Sequence, residues 1–131
     1  VTNFIEEICQ YLADNNDAFV IGPDGNLMAG ELVRGQDGVF AQSAPTKAPD
    51  IYTPKQYFGI DFWSARKSSE QANTDLETIR IFFHQKHDYE IASYFVHFSN
   101  AVSQVEYFGR DGEGRKLMRV SVQYIVESLL S

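Results

Sequence analysis

Gln56-Tyr57-Phe58-Gly59-Ile60-Asp61-Phe62-Trp63-Ser64-Ala65-Arg66-Lys67-Ser68, with its continuation to Lys86, is the stretch that decides the fold. Aromatic and β-branched residues crowd positions 57–63, which suits a pleated, half-buried strand. Ala65-Arg66-Lys67 reads as a basic turn. Ser68 with Gln71 three residues on forms a capping box, in which the serine hydroxyl accepts from an orphan amide of the first turn and Gln71 reaches back to the cap. Ala72, Leu76, Ile79 and Phe83 then recur at helical spacing, and Phe82 widens the apolar stripe. A strand joined so closely to a helix is a compact α/β or α+β unit, around which the remaining elements are expected to pack.

Upstream, Asn3 and Glu6 make a second capping box, opening a helix whose Phe4, Ile5, Ile8, Tyr11 and Leu12 share one broad face. Asn15-Asn16-Asp17 ends it. Ala18 to Ile21 reads as a short strand cut off by the Gly22-Pro23-Asp24-Gly25 turn, and Asn26 to Val33 as another strand, weakened by Gly30. Gly38 to Ala41 is a brief strand. Gln42 to Pro54, with Pro45, Pro49 and Pro54, is a long loop suited to contacts outside the monomer; Ile51 and Tyr52 within it need cover.

Downstream, His84 to Asp88 is a polar joint. Tyr94, Val96 and Phe98 share one strand face and Phe95, His97 and Ser99 the other. Val102 to Phe108 is extended, and Gly109 to Gly114 is a hairpin connection. Lys116 to Glu127 alternates most cleanly: Met118, Val120, Val122, Tyr124 and Val126 point inward, while Leu117 and Ile125 in the outward set imply partial cover there too. The sum is an α+β fold, a mainly antiparallel sheet flanked by an N-terminal helix and a central amphipathic helix.

Its 131 residues fit a single domain spanning 1–131, long enough to bury a core without disulfide or metal. No apolar run approaches the ~20 residues of a membrane-spanning helix, so a soluble chain with no membrane partner is expected. Val1-Thr2-Asn3 lacks the features of a secretory signal, as a processed precursor also would. Cys9, the single cysteine, reads as a buried structural thiol in a reducing compartment. A net charge of −7 argues against wrapping nucleic acid through a broad basic face, but suits a wall that nucleic acid passes without adhering.

Catalytic patterns are sparse. His84, His87 and Asp88 could hold a metal, yet their spacing implies no third protein ligand of the kind a catalytic zinc needs; at a helix C-terminus both imidazoles could instead meet free carbonyls. No serine lies in a Gly-x-Ser-x-Gly elbow, and the glycines 109, 112 and 114 sit between strands rather than before a helix. No cofactor is implied. In an acidic chain Arg66-Lys67, Arg110 and Arg115-Lys116 stand out as cations that could meet a neighbouring subunit, with Trp63 as an anchor.

Several strings resemble the tail terminator, or tail-to-head joining, proteins of long-tailed bacteriophages, including the minor capsid protein group. They are Ala44-Pro45 through Pro49-Asp50-Ile51-Tyr52, Ile60-Asp61-Phe62-Trp63-Ser64 with Lys67-Ser68, the helix positions Ala72, Leu76, Ile79 and Phe83-His84, then Tyr94-Phe95-Val96 and Val120 to Val126. The resemblance implies a non-enzymatic virion protein of the tail and neck, assembled in the host cytoplasm. It would form a homo-hexameric ring that caps the tail tube, meets the tail tube protein and the head connector, and lets genomic DNA pass. Asp50, Ile51, Tyr52, Trp63, Arg66, Lys67, Arg110, Asp111 and Arg115 are the expected subunit-interface residues. The alternatives are a neck or head-completion protein, a small metal-dependent enzyme, and a cytoplasmic protein-binding domain.

Overall fold

A computed structural model describes residues 4–21, 25–31, 35–44, 55–91 and 93–128. In chain order these form α1 (Phe4–Asn15), β1 (Leu27–Ala29), β2 (Gly38–Ala44), β3 (Lys55–Arg66), α2 (Ser69–Phe83), β4 (Lys86–Ile91), β5 (Tyr94–Ala101), β6 (Glu106–Arg110) and β7 (Lys116–Ser128). One seven-stranded sheet runs β1-β2-β3-β7-β5-β4, with β6 also paired to β7. Only β1 and β2 run parallel. The fold is α+β with a mainly antiparallel sheet and two helices, as the sequence implies.

The strand–helix unit is longer in its strand than the sequence reading has it. β3 pairs β7 without a break from Lys55 to Arg66, so Ala65 and Arg66 belong to the ladder and the turn is reduced to Lys67-Ser68. Ser68 caps α2 by accepting the Gln71 N–H at 3.3 Å. The reciprocal half of the expected box is replaced: the Gln71 amide donates to Asp75 at 3.0 Å, one helical turn on. Ala72, Leu76, Ile79 and Phe83 are buried, as their spacing predicts.

Both helices lie on one face of the sheet, since Phe4 of α1 and Phe83 of α2 both pack edge-on against Tyr124 of β7. Even-numbered residues of β3 and β7, among them Ile60, Phe62, Val120, Val122 and Val126, complete the core below them. Helix α1 touches β1, β2 and β4. As β1 and β4 end the sheet order on opposite sides, the sheet must curl until one helix reaches both edges, in keeping with the twist of paired strands.

Elsewhere the local readings are corrected. Ala18 to Ile21 is not a strand but a bridge-like lead into β1: the Asn26 amide accepts from Val20 N–H and donates to Ala18 C=O, both at 2.7 Å, so a side chain takes the place of a neighbouring strand. The strand expected over Asn26 to Val33 extends only from Leu27 to Ala29 within the described residues. β2 runs to Ala44, taking three residues from the expected loop; the rest of that loop and the Asn3 cap lie outside the described residues.

β4 begins at Lys86, so of the two histidines expected at a helix end only His84 caps α2, while His87 stands in β4 with its ring 4.7 Å from Phe98. In β5 a bulge between Val96 and Phe98 breaks the simple alternation and turns Ser99, rather than Phe98, into the core. There Ser99 Oγ donates to Phe83 C=O and accepts from Tyr89 O–H, each at 2.8 Å, tying the end of α2 to β4 and β5. β6 starts at Glu106, and Gly109, at φ 102, belongs to its bulge against β7 rather than to the hairpin connection.

Candidate subunit interface

No helix covers the second face of the sheet among the described residues. Trp63 pairs with Arg119, Asp61 with Ser121 and Tyr57 with Ile125, all on that side, and all are half-buried. The Trp63 and Phe108 rings pack against each other with centroids 5.1 Å apart, and the Arg119 guanidinium lies over both, 5.5 Å from Trp63 and 4.5 Å from Phe108. Phe108 itself is 45 % exposed. Trp63 is thus not a core residue: its half-buried ring packs against Phe108 and Arg119. Leu117 and Ile125 are half-buried, matching the partial cover their place in the alternation implies.

The basic residues separate into two kinds. Arg66 Nε donates to the Asp75 carboxylate at 2.6 Å, which fastens the end of β3 to α2. Arg115 is 3 % exposed, so as a surface cation it is corrected by the structure: its Nε sits 2.8 Å from Asp111 and 3.3 Å from Glu113, and Nη1 donates to the Gln36 carbonyl. Asp111 also accepts from the backbone N–H groups of Glu113 and Arg115. Desolvation works against the charge of Asp111, but these bonds to Arg115 and Glu113 outweigh it and hold the carboxyl below its usual range. Asp111 and Arg115 therefore build the β6–β7 hairpin from within. The alternation around Lys116 hides this, although Asp111 and Glu113 at four and two residues before Arg115 are a legible sign of a hairpin knot.

Lys67 and Arg110 remain exposed. Register gives Arg110 an unexpected neighbour: it stands opposite Lys116, which stands opposite Arg66, so residues far apart in sequence form one basic row across β6, β7 and β3. Asp50, Ile51 and Tyr52 lie outside the described residues. His84 and His87 fall on different elements, and no group of three potential metal ligands occurs among the described residues. No helix among them is long and apolar enough to cross a membrane.

Compared with known proteins, residues 11–128 match the family model described as bacteriophage tail terminator protein. The chain belongs to that family. The match takes in the end of α1, all of α2 and β1 to β7, so the aromatic strand, the capped helix and the closing strand are features of a tail terminator domain rather than of an isolated string. Tail terminators are structural components of the phage tail that act against other tail and head proteins. No curated relative matches the chain.

Proposed function

We infer that this tail terminator is a non-enzymatic virion protein that forms a ring, as a homo-hexamer, on the last layer of the tail tube, stops its growth and presents a surface to the head connector. The single domain spans the chain, and assembly takes place in the host cytoplasm before the protein joins the virion neck. The observation that carries the reading is the family match over residues 11–128. It is supported by a sheet face that no helix covers among the described residues and by Arg110 and Lys116, which have no ion-pair partner among them, both of which suit contacts between chains. With a net charge of −7, the walls of such a ring would repel phosphate and let DNA slide.

Tubes polymerised from the cognate tail tube protein provide the test. Adding this chain is expected to arrest growth and narrow the length distribution; tubes that lengthen equally with and without it contradict the capping role.

A further inference from the structure

The basic row across β6, β7 and β3 is an unusual arrangement, because like charges in neighbouring cross-strand positions destabilise a sheet. Arg66 is neutralised by Asp75. Arg110 and Lys116 have no ion-pair partner among the described residues. Tyr107 pairs with Met118, on the same face of β7 as Lys116, so Tyr107 and Arg110 stand on one side of the hairpin, and the tyrosine is 56 % exposed. Nothing among the described residues explains an exposed aromatic beside this arginine.

A cleft of about 590 Å³ offers the complementary surface. It opens where α1 spans the two sheet edges, and none of its lining residues belongs to β3, β6 or β7. Glu6, Glu7, Asp14 and Glu90 line it together with apolar Ile21 and Ile91, and no lysine or arginine among the described residues does. Glu7 is only 6 % exposed. One of its oxygens accepts the Ser93 N–H at 3.0 Å, while Oε2 has no hydrogen-bond partner. A buried carboxylate short of a donor is costly, and a guanidinium seated in the cleft beside Glu7 would offset that cost through its charge.

We propose that this cleft receives the β6 hairpin of a second copy of the chain, with Arg110 among the four carboxylates and Tyr107 against the apolar wall. Two different, complementary patches on one chain give a head-to-tail contact, which propagates and closes into a ring when the rotation per subunit allows. The inference rests on the ring reading and assigns its subunit contact. Arginine suits the role better than lysine, since its planar fork can engage two carboxylates at once.

Two charge reversals at exposed positions test it on the full chain, by native mass spectrometry and sedimentation. Arg110→Glu and Glu90→Lys are each expected to weaken self-association by at least about tenfold. Their equimolar mixture is expected to restore the closed oligomer. In it, alternating subunits pair the introduced glutamate with the introduced lysine at one junction, and the native Arg110 with the native Glu90 at the next. Recovery on mixing also shows that both variants fold. Wild-type-like assembly of each variant alone would overturn the contact while leaving the ring intact, and so would a loss that mixing does not repair. A wild-type chain that stays monomeric both alone and on tail tubes would overturn the ring reading, and this contact with it.

Discussion

Arg115 shows how one residue changes meaning once its surroundings are known. An Arg-Lys pair in an acidic chain reads as surface charge, yet Arg115 is enclosed by Asp111, Glu113 and the Gln36 carbonyl, and a fourth contact reaches Asp37 at 3.7 Å. Removing one partner of a buried ion pair costs about 3–5 kcal/mol, but these carboxylates are partly solvated, so Arg115→Ala is expected to cost roughly 2 kcal/mol in urea unfolding. An unchanged midpoint would show that the hairpin does not need the knot. Cys9 is simpler, for its place on the apolar stripe of α1 already marks it as a structural thiol. Burial, with Glu6 nearby, pushes the thiol up to about 12, so almost no thiolate exists at neutral pH. A disulfide-forming thiol reagent at pH 8 is expected to label the unfolded chain fully and the folded chain at least about a hundredfold more slowly.

At the level of elements, the pairing of β3 with α2 was legible because two periodicities meet there. A period of two puts Ile60 and Phe62 on one side of the strand, and a period near 3.6 puts Leu76, Ile79 and Phe83 on one side of the helix. Both stripes are buried against each other, with Phe62 and Phe83 stacked at 6.1 Å. The β5 bulge was not legible, because a single extra residue leaves composition unchanged while reversing which side chains point inward. Its consequence is the Tyr89–Ser99–Phe83 chain of hydrogen bonds at the end of α2. Burial raises the pKa of Tyr89 above its ordinary value of 10.0, the Ser99 bond opposing this only in part, and burial raises that of Tyr124 well above it. Between the ordinary value and the raised one, the unfolded chain holds fewer protons than the folded chain. Stability contributed by the neutral phenols is therefore complete below about pH 10 and falls as the pH climbs beyond it. Tyrosine ionisation followed by ultraviolet absorbance is expected to lag for these two rings and to complete only with alkaline unfolding. Simple titration of all seven tyrosines near pH 10 would contradict their burial.

For the molecule as a whole, the helix-flanked sheet could be read from the chain, but its curvature could not. That α1 touches both β1 and β4 depends on twist accumulated over the whole strand order, and no local pattern records it. The acidic cleft is a product of that curl, which is why none of the expected interface residues among the described residues lies in it. The row of Arg66, Lys116 and Arg110 likewise depends on register between distant strands, although each residue stands out singly in an acidic sequence. What the family match shows is a structural protein of the phage tail, and the function proposed for it lies in contacts with copies of itself and with the tube. Electron microscopy of tail tubes incubated with the chain tests that claim most directly. The account predicts one additional ring of this protein seated on a single end of each tube, with growth stopped there; bare ends, or protein scattered along the tube wall, would contradict it.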